Sequence, residues 1–224
     1  MSRRKQTKGK CAYCEKEIAK SGVGKHLATC VKWKDAEINV GHKNSAQEML
    51  YHLRIQAVGS SEFWLDLEMR GSASLKELDK YLRAIWLECC GHMSQFLDHG
   101  NELSMKRRIG DVLELGSELN HIYDFGTTSE TLVKVVGMRE GKPVTSRPIA
   151  LLVRNVMPVS ECMECEQPAT RLCMECLIEE GGWGTLCDKH AENHPHDEYG
   201  EPVPLVNSPR LGMCGYDGPA KPPY

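Results

Sequence analysis

The sequence predicts an α+β fold: a mostly antiparallel sheet with packed helices, flanked by two small zinc-stabilised segments. Three observations carry this. Apolar and polar residues alternate through 51–58 and 63–70, the period of strands with one face buried. A helical stripe with a capping signal follows from Ser74, and three more β-branched or aromatic runs come after it. Cysteines gather at the two chain ends, leaving only the pair Cys89–Cys90 between them.

The chain divides into a head (1–43), a middle (44–158) and a tail (159–224). The head is basic, with eleven Lys/Arg against four Asp/Glu, while the remainder carries seventeen against twenty-seven. Such asymmetry suggests an anion-binding head on an acidic body. The opening MSRRKQTKGK has no apolar run behind it, so it does not read as a secretory signal. No stretch of about eighteen apolar residues offers a membrane span. A cytoplasmic chain keeps its thiols reduced, so the eleven cysteines read as metal ligands rather than as a disulfide framework.

The head spacing Cys11-x2-Cys14-x11-His26-x3-Cys30 is that of a Cys₂HisCys zinc finger. A CxxC turn presents two thiolates to one ion, and His26 and Cys30 share a helical face, closing a tetrahedral shell.

In the middle, Tyr51, Leu53, Ile55 and Ala57 alternate with His52, Arg54 and Gln56. Phe63, Leu65, Leu67 and Met69 alternate with Asp66, Glu68 and Arg70 across a Gly/Ser turn. The two runs read as a hairpin. Ser74 and Glu77 have capping-box spacing. Leu75, Leu78, Leu82, Ile85 and Cys89 form the helical stripe, which Gly91 ends. HIYDFG (121–126), TLVKVVG (131–137) and IALLVRNV (149–156) complete the strands. Trp64, Trp86 and Trp183 read as packing residues, and Cys89 and Cys90 as buried thiols.

The tail carries Cys162-x2-Cys165-x7-Cys173-x2-Cys176-x10-Cys187-x2-His190-x3-His194-x1-His196. Eight ligands suffice for two four-coordinate zinc ions. The double CxxC could instead close one ribbon-like site, or Cys214 could stand in for His196. A thiolate-rich four-ligand shell leaves no position for water, and HExxH and the deaminase pairing are both absent, so no catalytic role is assigned to the metals.

The tail spacing resembles the B-box cross-brace. By that resemblance Cys162, Cys165, Cys187 and His190 hold one ion, and Cys173, Cys176, His194 and His196 the other. The middle resembles the plasmid pRiA4b ORF-three family, on YHLRIQAVGSSEFWLDLEMRGSASLKELDKYLRAIW, GHMSQF (91–96), YDFGTTSETLVKVVG (123–137) and IALLVRN (149–155). The resemblance covers about residues 48–157 and implies the α+β fold and a mobile-element setting. Where many members read Asp-x-Trp-x-His after YDFG, this chain has Thr127, Ser129 and Thr131. Their paired histidines become His92 and Ser94.

These readings combine into a zinc-binding, non-catalytic interaction protein with about three structural zinc ions. The head would meet nucleic-acid phosphates through Arg3, Arg4, Lys5, Lys8, Lys10, Lys25 and Lys32. The tail, with twelve Asp/Glu against four Lys/Arg, suits a protein partner. The alternative is an enzyme or accessory factor of a mobile element, with a polar site near His92 and Asp124. Asp124-Phe125-Gly126 lacks the other kinase motifs, and Gly22-Val23-Gly24-Lys25 lacks a full phosphate loop.

Overall fold

The hairpin expected from the alternation forms the centre of a nine-stranded antiparallel sheet. β3 (Glu48–Ala57) pairs with β4 (Trp64–Arg70), in register from Leu50 opposite Arg70 to Gln56 opposite Trp64. The remaining strands are β1 (Lys8–Cys11), β2 (Glu17–Ala19), β5 (Ser94–Asp98), β6 (Asn101–Leu103), β7 (Glu118–Tyr123), β8 (Ser129–Gly141) and β9 (Ile149–Asn155). Their order across the sheet is β2-β1-β9-β4-β3-β8-β7-β5-β6. The computed structural model describes residues 7–40, 46–88, 90–196 and 198–213. It divides into two units, Met1–Tyr81 with His92–Val156, and Leu82–Gly91 with Met157–Tyr224.

The face of β3 that carries Leu53, Ile55 and Ala57 is buried, as its period predicts. The opposite face is not left to water. Helices α1 (Val23–Thr29) and α2 (Val31–Val40) of the head belong to the same unit as the sheet. Val23, Leu27 and Trp33 pack with Trp64, Ala150, Leu152 and Val153 in one apolar cluster. Beside this cluster Asp66 is fully buried and Glu68 is 7% exposed.

The head also adds strands to the sheet. Gly9, Lys10 and Cys11 of β1 pair with Asn155, Arg154 and Val153 of β9. A Cβ at Gly9 would lie 2.6 Å from the Trp64 ring and 2.9 Å from the Arg154 carbonyl oxygen. Only glycine leaves room for the Trp64 ring at this position.

Helix α3 (Leu75–Trp86) starts at the expected capping box. The Ser74 amide donates to Glu77 Oε2 at 2.7 Å, and the Glu77 amide donates to Ser74 Oγ at 3.4 Å. Leu75, Leu78, Leu82 and Ile85 are fully buried. The helix stops earlier than Gly91: Leu87 turns left-handed at φ 57°, which breaks the i to i−4 ladder. Cys90 is exposed, contrary to the expectation of a buried thiol, because it lies past that break. Cys89 lies outside the described residues.

In the second unit, β10 (Arg171–Leu172) pairs with both β11 (Thr185–Leu186) and β12 (Val203–Pro204). Short helices α4 (Met174–Ile178) and α5 (Asp188–Ala191) follow the first two of these strands. Trp183 is 80% exposed and so is not a packing residue. It stands on a turn between Gly181 and Gly184, both at positive φ, where a Cβ on Gly184 would meet the Cys173 carbonyl oxygen at 2.4 Å. Among the described residues no helix is long and apolar enough to cross a membrane.

Candidate metal centres

Three Cys/His groups come together among the described residues. They are Cys11, Cys14, His26 and Cys30; Cys162, Cys165, Cys187 and His190; and Cys173, Cys176, His194 and His196. Within each group the donor atoms all lie within 4.8 Å of one another.

The head group is built around a turn and a helix end. Cys11 is the last residue of β1, and its amide donates to Lys16 O, closing the turn that presents Cys14. Glu15 takes φ 63° inside that turn. His26 sits in the last turn of α1, with Nε2 at 3.4 Å from Cys14 Sγ. Cys30 reaches the group from the extended residue that ends α1, rather than from a shared helical face.

In the tail, alternate ligand pairs meet. Cys173 and Cys187 are the N-cap residues of α4 and α5, so each helix offers a thiol at its start and a second ligand three residues on. Cys162 Sγ and Cys187 Sγ lie 3.3 and 3.4 Å from His190 Nδ1, and Cys165 Sγ lies 3.9 Å from Cys187 Sγ. Cys176 Sγ lies 3.2 Å from both His194 Nε2 and His196 Nδ1, and Cys173 Sγ lies 3.8 Å from the latter. The first CxxC thus joins the third pair, and the second CxxC joins the fourth. The four cysteines of the double CxxC do not close one site. Cys214 lies outside the described residues.

These separations test the fit of an ion. Around a tetrahedral centre with bonds of about 2.3 Å to sulfur and about 2.0 Å to nitrogen, S···S edges are about 3.8 Å and S···N edges about 3.5 Å. The seven edges given above run from 3.2 to 3.9 Å, and all donor atoms of a group lie within 4.8 Å of one another. A disulfide would need sulfurs about 2.05 Å apart, so the Cys165–Cys187 separation excludes one there.

The thiols also titrate against one another. Burial resists ionisation of Cys162, but the Cys187 and Glu164 amides, with His190, bring it down to about 6. Burial and the adjacent Cys173 thiol push Cys176 up to about 12. In the head, burial raises Cys11, while the Lys16 amide holds Cys14 below the usual thiol range. Packed thiols cannot all ionise unless a cation neutralises them, and each four-donor group supplies a seat for one.

An outer layer of carboxylates backs the histidines. Glu164 Oε1 lies 3.4 Å from His194 Nδ1, and Glu164 Oε2 lies 4.0 Å from His190 Nε2. His196 Nε2 lies 3.6 Å from Glu180 and 3.9 Å from Glu175. Ligating imidazoles are held and made more basic by such partners. The sequence reading did not pick out these carboxylates. The signal was present in the repeated Met-Glu-Cys, which puts Glu164 and Glu175 inside the two CxxC turns.

The polar residues around the family-like motif fall into two pairs. His121 Nε2 lies 2.9 Å from Asp79 Oδ1, which also accepts from Ser94 Oγ at 2.6 Å. His92 Nδ1 lies 3.4 Å from Asp124 Oδ2. Asp124 Oδ1 accepts the amides of Gly126 and Thr127, so Asp124 caps the turn after β7.

Of the basic residues expected to meet phosphate, Lys8 and Lys10 are exposed on β1, 3.8 Å from Glu17 and 3.7 Å from Glu15. Lys25 and Lys32 are exposed on the head helices. Arg3, Arg4 and Lys5 lie outside the described residues.

No protein-family model matches the chain, and no curated protein matches it. Among solved structures it is similar to a protein of unknown function from Methanosarcina mazei Go1, at 20% identity and a TM-score of 0.41. That match covers 45% of this chain and 66% of the other, just under two thirds of its length.

Proposed function

We propose that the chain is a zinc-binding, non-catalytic interaction protein with three structural ions, one in the head and two cross-braced in the tail. The observation that carries this is the completeness of the three donor sets, each with four Cys or His ligands in mutual reach. Cys₃His and Cys₂His₂ sets with tetrahedral edges suit zinc. Four protein ligands leave no position for water or substrate, which is the arrangement of a structural site.

The middle is proposed as a pRiA4b ORF-three-like unit, from the residues quoted above, and the chain is placed in the cytoplasm, where thiols stay reduced. The exposed Lys25 and Lys32 support contact of the head with nucleic-acid phosphates. The excess of acid in the tail favours a protein partner there.

Elemental analysis of the purified full chain tests the metal reading, with about three zinc per chain expected. A content near zero, or iron in place of zinc, overturns it. Salt dependence tests the nucleic-acid reading, since each phosphate contact adds about −0.9 to the slope of log affinity against log salt on duplex DNA. A slope that does not change when Lys25 and Lys32 become Gln removes the head from the interface.

A further inference from the structure

Where the head lies over the polar face of the sheet, a cleft of about 450 Å³ remains open. Leu27 and Trp33 of the head and Leu50 and Leu152 of the sheet supply apolar walls; Lys34, Glu37, His52, Glu68 and Arg139 are its polar groups. Gly137 lies opposite His52 in the register of β3 and β8, and its missing side chain leaves the imidazole uncovered.

Acceptors outnumber donors on the floor of this cleft. Every nitrogen of the Arg139 guanidinium faces a carboxylate: Nε and Nη2 donate to Glu68 at 2.8 and 2.9 Å, and Nη1 lies 3.3 Å from Glu37. His52 Nε2 is 2.5 Å from Asp66 Oδ1, and Arg54 donates twice to the same carboxylate. The tautomer that donates Nε2–H to Asp66 leaves His52 Nδ1 an acceptor, beside Gly137. Glu68 and Glu37 keep unused lone pairs, since a carboxylate accepts about four hydrogen bonds. Three of the five Arg139 N–H groups are thus taken up by carboxylates, and the Glu68 and Glu37 oxygens are the acceptors that line the floor.

Its charge points the same way. Asp66 and Arg54 cancel, whereas Glu68 and Glu37 share the single Arg139. Lys34 stands exposed at the rim, where solvent screens it. Burial holds the Glu68 carboxyl above its ordinary range in spite of the bidentate arginine, so a further cation in the cleft would be welcomed. Stability does not explain the arrangement, because a buried ion pair is on balance no better than apolar residues of the same size.

We propose that this cleft is a binding site for a small organic ammonium ion. Its N–H groups bond to His52 Nδ1 and the free lone pairs of Glu68 and Glu37, and its apolar body lies against Leu27, Trp33 and Leu152. No residue of the three Cys/His groups is among those that line the cleft.

Titration of the zinc-loaded full chain with phenethylammonium tests this, with NMR following the His52 and Trp33 side-chain signals. Saturable shifts with a dissociation constant of about 1 mM or tighter are expected, and 3-phenylpropanoate should bind at least about tenfold more weakly. Gly137→Val places a branched side chain over the imidazole, since even a Cβ there lies 3.8 Å from Nδ1. That variant should weaken binding about tenfold or more with zinc content unchanged. Glu68→Gln should do the same where it folds; Gly137→Val carries the test where it does not. Absence of saturable shifts at about 10 mM, equal binding of the anion, or unaltered binding by Gly137→Val overturns the proposal.

Discussion

Glu164 stands between the two tail centres and faces a histidine of each. His194 Nδ1 is buried and has no well-aligned hydrogen bond among the described residues, and the Glu164 carboxylate 3.4 Å away is its polar neighbour. On the other side the same carboxylate is 4.0 Å from His190. Losing an outer partner of a metal-bound histidine weakens metal affinity by about 10- to 100-fold. We therefore predict that Glu164→Gln weakens both tail sites in a chelator competition and leaves the head site unmoved. Loss at one site alone would mean that the carboxylate serves a single ion.

Glu48 offers a second residue-level test, in pH. It accepts from Arg70 Nε at 2.6 Å and from Ser72 Oγ at 2.6 Å, tying β3 to the end of β4. Burial opposes its ionisation, but Ser72 and Arg70 outweigh it and hold the carboxyl below its ordinary value. A folded pKa below the unfolded one stabilises the fold above the unfolded pKa, and the contribution fades as pH falls through the folded value. Glu48→Gln should thus destabilise the protein at neutral pH and reduce its loss of stability on acidification. Parallel acid limbs for the two proteins would remove Glu48 from that transition.

At the scale of elements, α3 depends on its first turn. The reciprocal bonds between Ser74 and Glu77 satisfy two amides that the helix itself leaves free. Ser74→Ala should cost about 1 kcal/mol in denaturant melts, without a change in metal content. A cost near zero would show that the contacts from Arg107 O and Met105 O to the amides of Leu75 and Lys76 hold this helix start by themselves. The short tail helices work differently. α4 and α5 are five and four residues long, too short to persist alone, and each has a ligand at its N-cap and another inside. Metal binding there would be coupled to helix formation.

At the scale of the whole molecule, the head site is a clasp for the sheet rather than an appendage. It seats β1 against β9 and holds α1 and α2 over Asp66 and Glu68. Removing metal from the full chain should therefore cost amide protection in β1, β9 and β4, while the ladder of β3, β8, β7 and β5 stays protected. Hydrogen exchange before and after chelation reads this directly. Uniform retention would show that the head docks without metal, and loss of the whole ladder would show that the sheet cannot stand without its cover.

The sequence by itself determined what is local. Spacing singled out the four Cys/His residues of the head and the eight of the tail that the structure gathers into three groups, because a CxxC turn is short-range geometry. Period-two alternation and a capping box placed β3, β4 and the start of α3, because the first turn of a helix and the pleat of a strand are set by near neighbours. Tertiary structure decided the rest. Spacing left open whether the double CxxC shares one ion; the pairing of β10 with β11 settles which turns face each other. The pattern of 51–70 gave the charged face no partner, since alternation records only that two faces differ. The head covers that face, and the cleft with His52, Glu68 and Arg139 exists only because residues over a hundred positions apart close around it.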